Sequence, residues 1–253
     1  MLIEHVLQKP RAWVLAHDTD ALEPAQLIEF EALLLRRLAG EPMAYLIGRR
    51  EFMGHSFAVT PDVLIPRPDT ELLVETAVRE LVGRVSPKVA DLGTGSGAVA
   101  LSIALERPDA QLIATDLSVA ALAVAQANGQ RLGALLSYAQ GNWFEALRGE
   151  CDFDLIVSNP PYIADDDAHL EQGDLRFEPR GALSDGADGL RDLALIVAGA
   201  AARLKPDGVL WLEHGWDQAG AVRVLLERAG FAQVASRRDL AGIERISGGR
   251  RPT

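Results

Sequence analysis

The segment IVSNPPYI, residues 156–163, combines an apolar run with an amide, a pair of prolines and a phenol. Prolines cannot donate hydrogen bonds to a sheet, so many strands end at such a pair without further purpose. That explanation does not account for the flanking residues, Asn159 and Tyr162. The Asn159 side-chain oxygen and the Pro160 carbonyl can accept hydrogen bonds from a planar NH₂ group, and a phenol ring can stack on it. We therefore predict that an amide or an exocyclic amine of the substrate binds to Asn159, Pro160, Pro161 and Tyr162.

The nitrogen of such a group is a weak nucleophile because its lone pair is delocalised. It needs acceptors that hold its NH₂ in position more than it needs a strong base. The same acceptors stabilise the positive charge that grows on the nitrogen when it attacks a carbon, mainly in the transition state. We predict that Asn159, Pro160 and Tyr162 are the catalytic residues of such a transfer.

A second motif, VADLGTGSGAVALSIAL, places glycines in a turn between a strand and a helix. Glycines there permit a tight bend and let a ligand approach the backbone closely. Further along, Asp116 ends the next strand, where its carboxylate can accept hydrogen bonds from two ribose hydroxyls. The predicted cofactor-binding residues of this region are Gly93, Thr94, Gly95, Ser96, Gly97 and Asp116.

The spacing of these glycines discriminates between two classes of cofactor. Dinucleotide-binding proteins use G-x-G-x-x-G, whose third glycine lets the helix pack closely around a pyrophosphate. This chain has G-x-G-x-G, preceded by Asp91. A buried carboxylate at that position disfavours a diphosphate and favours a cation. We therefore predict S-adenosylmethionine, which carries a sulfonium and an amino group, with S-adenosylhomocysteine as the product.

Several residues near these motifs admit two interpretations. In GNWF, Trp143 can form an apolar wall for an adenine and Asn142 can hydrogen-bond the edge of the adenine, but ordinary packing explains Trp143 equally well. Glu178 and Arg180 either shape a loop over the site or form a solvated salt bridge. His214, at the end of a strand, is more simply a structural residue.

The elements after Pro87 predict a doubly wound, Rossmann-like α/β fold. Strand-like and helix-like segments alternate, which is typical of a parallel sheet with helices on both faces. The strand-like pieces are KVADLG, QLIATD, LLSYAQG, FDLIVSN, GVLWLEHG, FAQVASRRD and IERISGG, the last two closing one edge in part antiparallel. In such a sheet the first and fourth strands are neighbours, so Asn159 is expected to face the glycine loop.

Smaller units precede this sheet. Residues 1–39 have the apolar spacing of short helices, and the stretch from Arg49 alternates apolar residues with glycine and proline, which predicts a hairpin-like connector. Asp69 or Thr70 is expected to cap a helix that runs through about Leu81.

Composition excludes several classes of protein. The 253 residues are 48% hydrophobic and 24% charged, as in an ordinary globular protein, and the net charge of -11 opposes non-specific binding to nucleic acid. Cys151 is the single cysteine, so no internal disulfide forms, and no histidine or cysteine group has metal-ligand spacing. The apolar runs are too short to cross a bilayer and no signal peptide is evident. A cytoplasmic protein without metal, membrane association or direct nucleic acid binding is expected.

Taken together, SNPPYI and DLGTGSGAVALSIA resemble the class I S-adenosylmethionine-dependent methyltransferases that modify amide or amine nitrogen. More narrowly, the chain resembles the PrmC/HemK family, the glutamine N5-methyltransferases of peptide chain release factors. The resemblance covers almost the whole chain, including GNWFEAL, HLEQGDLRFEPRGAL and LLEHGWDQ. Adenine methyltransferases share the NPPY tetrapeptide, whereas LIPRPDTE and FEPRGAL point to the narrower family.

This resemblance implies a domain organisation and a reaction. Residues 1–48 would be a helical substrate-docking domain that lacks the family's first helix, residues 49–67 a β-hairpin connector, and residues 68–253 a seven-stranded methyltransferase domain. Asn142 stands where relatives often have aspartate, so it would be a weaker acceptor for the adenine amine. The cofactor would be bound by the glycine loop with Asp116, Trp143 and Asn159, and the target would be the glutamine of the Gly-Gly-Gln motif of release factors.

Two other functions remain open from the sequence. An adenine-N6 methyltransferase of DNA or RNA would use the same NPPY pocket, but it would have to flip its base and hold a phosphate backbone, which the acidic composition disfavours. A cofactor-binding scaffold without catalysis is a third possibility, against which the intact Asn159 and Tyr162 argue.

Overall fold

The computed structural model describes residues 1–253 and begins with a helical unit. Its helices are α1 (Leu2–Leu7), α2 (Arg11–Ala16), α3 (Pro24–Leu38) and α4 (Met43–Ile47). A capping box between Glu23 and Gln26, with proline at the first helical position, starts α3. Leu2, Val6, Leu33 and Leu46 form a small buried cluster within this unit, whereas Ala44 and Tyr45 of α4 are buried in a separate cluster with residues that follow the unit. The unit therefore has a limited core of its own.

The predicted connector is a β-hairpin followed by an irregular segment. Strand β1 (Arg49–Phe52) pairs antiparallel with β2 (His55–Ala58) through a two-residue turn. The turn residues Met53 and Gly54 have φ angles of +50° and +73°, as tight hairpin turns require. Phe52 and Phe57 are buried with their rings edge to face at 6.0 Å, in the same core as the central sheet. The hairpin is thereby fixed to the large domain.

The central sheet has seven strands in the order β5-β4-β3-β6-β7-β9-β8. The strands are β3 (Lys88–Leu92), β4 (Gln111–Asp116), β5 (Ser137–Gln140), β6 (Phe153–Ser158), β7 (Leu204–Glu213), β8 (Ala232–Arg238) and β9 (Glu244–Arg250). The first five are parallel, and β9 runs antiparallel to both of its neighbours. The predicted doubly wound α/β fold, with its antiparallel edge, is confirmed.

Helices cover both faces of this sheet. They are α5 (Glu71–Glu80), α6 (Ala98–Glu106), α7 (Val119–Leu132), α8 (Arg180–Leu183), α9 (Arg191–Ala200) and α10 (Ala219–Arg228). Successive strand residues point to opposite faces, so Leu155 packs in the cluster with α5 and α6, while Ile156 packs in the cluster with α9 and α10. No helix is both long enough and apolar enough to span a membrane.

The strand order reverses between β3 and β6, which pair directly. Leu92 is in register with Ser158, whose hydroxyl donates to the Leu92 carbonyl at 2.6 Å. The residues that follow each strand, Gly93 and Asn159, therefore emerge side by side at the carboxyl edge of the sheet, where such folds bind ligands.

The prediction that the side chain of Asp69 or Thr70 caps α5 is wrong. A 3₁₀ turn over residues 68–70 leads directly into α5, and the Thr70 backbone already has helical angles, so its side chain makes no capping hydrogen bond. The Thr70 hydroxyl oxygen instead accepts a hydrogen bond from Asn159 Nδ2.

Candidate active site

The glycine loop joins β3 to α6 and is held against the neighbouring strand. The amides of Gly93 and Thr94 donate to the Thr115 carbonyl at 2.9 and 2.8 Å. Gly93, Gly95 and Gly97 have φ angles of +75°, +55° and +82°, which residues with a Cβ rarely adopt. A Cβ on Gly97 would also lie 2.7 Å from a leucine side chain of α6. The loop therefore requires glycine here for conformation and for space.

Asp116 ends β4 with its carboxylate against the glycine loop. Oδ2 accepts a hydrogen bond from the Gly95 amide at 2.9 Å, and Oδ1 accepts one from the Ser118 amide at 2.8 Å. Burial raises the pKa of Asp116, and these amides partly oppose the rise. Each oxygen retains acceptor capacity and the residue lines a cavity, so the carboxylate can also receive two hydroxyl groups.

Asp91 is buried at the carboxyl end of β3 and lines the same cavity. Its Oδ2 accepts a hydrogen bond from the Thr94 hydroxyl at 2.7 Å. Burial raises the pKa of Asp91 to about 7, although the bond from Thr94 lowers it. A buried carboxylate without a cationic neighbour is costly, and a cationic ligand would relieve that cost.

The Trp143 side chain lies against the glycine loop. A Cβ added to Gly93 would be 3.2 Å from the Trp143 ring. The φ angle of Trp143 is +42°, which is uncommon for a bulky residue. Trp143 therefore belongs to the cavity wall, whereas Asn142 is exposed and does not line the cavity.

One cavity of about 310 Å³ joins these residues at the carboxyl edge of the sheet, a size within the range of small-molecule sites. The sequence-predicted residues that line it are Gly93, Thr94, Gly95, Ser96, Asp116, Trp143, Asn159 and Pro161. The remaining ones, Gly97, Asn142, Pro160 and Tyr162, do not. The structure thus brings the cofactor loop and the start of the substrate motif into a single cavity.

Asn159 follows β6 directly and has an ordered side chain. Its Nδ2 donates to Thr70 Oγ1 at 3.2 Å, and no protein group donates to its Oδ1. Pro160 is buried. The Tyr162 ring packs against the core, and its hydroxyl donates to Glu213 Oε1 at 3.3 Å. Burial raises the pKa of Tyr162 far above its usual value, so the phenol stays protonated.

Two further segments close over the cavity, and no local pattern in the sequence indicates this. They contribute Leu64, Pro66, Arg67, Pro179, Gly181 and Ala182 to its lining. The segments lie more than a hundred residues apart, so only the tertiary fold brings them together. In the sequence, these two segments are distinguished only by their resemblance to a known family, in the stretches LIPRPDTE and FEPRGAL.

Glu178 ties these two segments together. Its Oε2 accepts a hydrogen bond from the Ile65 amide at 2.9 Å, and its Oε1 forms an ion pair with Arg67. Burial raises the pKa of Glu178, and Arg67 opposes the rise. Arg180 is not its partner but forms an exposed pair with Asp165 at 3.0 Å. Of the two interpretations, Glu178 shapes the loop over the cavity and Arg180 is solvated.

Comparison with known families covers most of the chain. Residues 1–48 match the model of the PrmC N-terminal domain. Residues 68–175 match the model of the methyltransferase small domain, and this segment contains the glycine loop, Asp116 and the NPPY motif.

Solved structures show the same fold at low sequence identity. A methyltransferase from Pyrococcus furiosus is 18% identical, with a TM-score of 0.60 over 88% of this chain and 98% of that chain. The 16S rRNA N2 G1207 methyltransferase of T. thermophilus, solved with S-adenosylmethionine and guanosine, is 24% identical, with a TM-score of 0.60 over 80% of this chain and 49% of that chain.

Curated relatives are much more similar in sequence. The release factor glutamine methyltransferase of Bordetella pertussis is 67% identical, over 98% of this chain and 92% of the relative. The proteins of the same name from Burkholderia pseudomallei and Xylella fastidiosa (strain Temecula1) are 55% and 52% identical, and the matches cover 100% and 99% of this chain and 90% and 91% of the relatives. Because identity is this high over nearly the full length, the chain belongs to the family of release factor glutamine methyltransferases.

Proposed function

We propose that this protein transfers a methyl group from S-adenosylmethionine to the side-chain amide nitrogen, N5, of the glutamine in the Gly-Gly-Gln motif of peptide chain release factors. The observation that carries the proposal is the single cavity lined by both the glycine loop and Asn159. Membership of the family supports the choice of glutamine as the methyl acceptor. Release factors act in translation, so the proposal also locates the enzyme in the cytoplasm.

The residues of the cavity fit S-adenosylmethionine, which supplies an electrophilic methyl group on a sulfonium when bound. Asp91 offers a buried carboxylate to a cationic group of the cofactor, and Asp116 offers acceptors to the ribose hydroxyls. The Trp143 ring offers an apolar surface to the adenine. A cationic group, the ribose hydroxyls and the adenine ring of the cofactor thus each have a matching residue in the wall of the cavity.

Asn159 and Pro160 would hold the substrate amide. The Asn159 Oδ1, which no protein group uses and which lies at the cavity, would accept one N–H of the glutamine NH₂. The carbonyl of the next residue, Pro160, would accept the other, which requires the amide to reach past the cavity wall, because Pro160 itself is buried. Both acceptors become more favourable as the nitrogen gains positive charge. The N–C bond would form as the bond between the methyl group and sulfur breaks, which would leave a neutral thioether, and the nitrogen would then lose one proton to solvent water. Tyr162, held by Glu213, would support the flat face of the amide.

Residues 1–48 would dock the release factor. Helix α3 exposes Ile28 and Leu35, which are 69% and 67% accessible and lie two turns apart on one face. An apolar face of this kind on a unit with little core is typical of a protein-binding surface. Docking there would leave the catalytic cavity free to receive the glutamine loop.

A transfer assay tests this function against its alternatives. The protein is incubated with methyl-labelled S-adenosylmethionine and equal amounts of a release factor, DNA and RNA. We expect label in the release factor alone. Label in nucleic acid would favour an adenine-N6 methyltransferase, and cofactor binding without transfer would favour a scaffold; either result contradicts the proposal.

A further inference from the structure

The segment LEHGWDQ, residues 212–218, carries an acidic residue that contacts neither the proposed substrate amide nor the methyl group. Glu213 is buried at the carboxyl end of β7, with 2% of its surface accessible. Strand β7 pairs with β6, and Leu212 is in register with Ser158, the residue before Asn159. The buried carboxylate therefore lies behind the start of the substrate motif.

Thr70 and Tyr162 connect this carboxylate to the motif. Asn159 Nδ2 donates to Thr70 Oγ1 at 3.2 Å. Burial raises the pKa of Glu213 to about 7, and the Thr70 side chain lies close enough to lower it. Glu213 Oε2 is buried and no protein group donates to it. The Tyr162 hydroxyl donates to Glu213 Oε1 at 3.3 Å. Thr70 is 4% accessible and lies in the wall of the cavity, beside Asn159.

The preferred orientation of the Asn159 amide depends on which group accepts the Thr70 hydroxyl proton, and the unpartnered Glu213 Oε2 is a buried acceptor beside it. A hydroxyl carries one proton. When Thr70 donates that proton to the Glu213 carboxylate, its oxygen is free to accept from Asn159 Nδ2. The Asn159 oxygen then remains available for the substrate. With the amide flipped, Nδ2 would face the substrate NH₂, and two donors would oppose each other.

Other contacts of the same segment hold the backbone of the motif. Gln218 Nε2 donates to the Tyr162 carbonyl at 2.9 Å and to the Gly189 carbonyl at 3.2 Å. Gln218 Oε1 accepts from the Gly215 amide at 2.8 Å. Tyr162 is therefore fixed at its hydroxyl and at its backbone by one short segment.

We propose that Glu213, acting through Thr70, is a positioning residue that keeps the side-chain oxygen of Asn159 turned toward the substrate amide. This inference rests on the proposed function, because it assigns the free oxygen to a substrate NH₂. Neither Thr70 nor Glu213 is assigned a contact with the reacting atoms. Their effect is to select one of the two orientations of the amide.

The kinetic test compares two substitutions of Thr70. Thr70→Val keeps the shape of the side chain and removes its hydroxyl, so we expect kcat for release factor methylation to fall about 10–100-fold, as for other residues that orient a functional group. KM for the release factor and cofactor affinity by calorimetry should change little. Thr70→Ser restores the hydroxyl and should restore most of the rate.

Controls separate this role from a general effect of the substitution. Thr76→Val removes a buried hydroxyl from α5, the helix that follows Thr70, and its rate should match that of the wild type. In a Glu213→Leu background, Thr70→Val should cost little further rate, since the acceptor of the hydroxyl proton is already gone. The inference would be overturned if Thr70→Val and Thr70→Ser lowered the methylation rate equally. It would also be overturned if Thr70→Val lowered the rate of the Glu213→Leu protein by its full factor.

A measurement without substrate or cofactor tests the orientation directly. The side-chain ¹⁵N–¹H signals of Asn159, assigned with an Asn159 variant, should show slow hydrogen exchange in the wild type and in Thr70→Ser. In Thr70→Val they should shift and exchange faster. Signals that are unchanged in Thr70→Val would contradict the inference. A wild-type protein that shows the protected signals but methylates no release factor would instead contradict the proposed function.

Discussion

In the proposed mechanism, Asn159 is the residue that contacts both the cofactor site and the substrate amide. It follows β6, lines the cavity beside the glycine loop, and presents an oxygen that no protein group uses. In Asn159→Ala the substrate NH₂ loses one acceptor, so we expect single-turnover methylation to fall about 10²–10³-fold, as when one preorganised hydrogen-bonding group is deleted.

The same variant supplies its own control. Release factor binding by pull-down should be retained, because the docking surface is assigned to residues 1–48. Thermal unfolding should also be close to that of the wild type. Methylation at the wild-type rate in a folded Asn159→Ala protein would remove this residue from the mechanism.

The buried Asp91 carboxyl should make the stability of the folded protein depend on pH. Its pKa is raised from the ordinary value of 3.8 to about 7 in the folded protein, so the folded state binds more protons than the unfolded state between these values. The contribution of Asp91 to stability is therefore fully present below about pH 4 and is lost as the pH rises through about 7. At about pH 8 and without cofactor, Asp91→Asn should unfold at a higher temperature than the wild type, while at about pH 4 the difference should vanish.

Cofactor binding should show the opposite preference at this residue. A cationic group of the cofactor favours the ionised carboxylate, so wild-type affinity should rise as the pH increases from about 5 to about 7. Calorimetry in buffers of different ionisation enthalpy should detect proton release over this range. Asp91→Asn should bind more weakly and release no proton; an Asn variant with wild-type affinity would show that the cation lies elsewhere.

At the scale of elements, the strands and the glycine loop could be predicted from sequence because their signals are local. Apolar runs defined β3, β4 and β6, and the spacing of the glycines defined the turn after β3. The partners of Glu178 and Thr70 could not be predicted in this way. Glu178 bonds to Arg67, 111 residues away, rather than to its neighbour Arg180, and Thr70 bonds to Asn159, 89 residues away, rather than capping its own helix.

Glu178 clamps together the two segments that close over the cavity as its roof, through the Ile65 amide and Arg67. The contribution of this clamp can be tested. Glu178→Gln keeps an acceptor for the Ile65 amide but removes the charge that pairs with Arg67. Because Arg67 is left without its charged partner, we expect a loss of about 1.5–3 kcal/mol in the free energy of unfolding by urea, the range for hydrogen bonds to charged groups. Cofactor affinity should also fall, because both segments of the roof line the cavity.

Glu171→Gln is the matched control for this clamp. Glu171 is 77% accessible and forms only a surface pair with Arg180. Such pairs contribute little, so stability and affinity should be unchanged. If Glu178→Gln behaved in the same way as Glu171→Gln, the clamp would have no energetic role.

Helix α3 should determine affinity for the release factor. Ile28→Glu and Leu35→Glu each place a charge on its exposed apolar face, so we expect KM for the release factor to rise about tenfold or more. The value of kcat and the cofactor affinity should stay near those of the wild type. Leu240→Glu, in the exposed turn between β8 and β9, is the control and should leave KM unchanged.

Two results would contradict a docking role for α3. An unchanged KM in both α3 variants would assign docking to another surface of the protein. A fall in kcat with constant KM would instead couple the helical unit to the chemistry.

At the scale of the whole molecule, the proposed function separates two tasks. In this proposal the carboxyl edge of the sheet binds one small cofactor and one side-chain amide, and the apolar face of helix α3 binds a larger partner. The net charge of -11 is consistent with a protein substrate and opposes attraction to a phosphate backbone. The proposed reaction therefore requires an extended loop of the substrate that reaches into the cavity from a docked protein.

Mapping the methylated atom tests the central claim most directly. The protein is incubated with S-adenosylmethionine and a release factor, and the product is digested and sequenced by mass spectrometry. We expect the added mass of one methyl group on the glutamine of the Gly-Gly-Gln motif, located on the side-chain nitrogen by its fragments. A methyl group on any other residue, or an unmodified release factor in the presence of bound cofactor, would contradict the account.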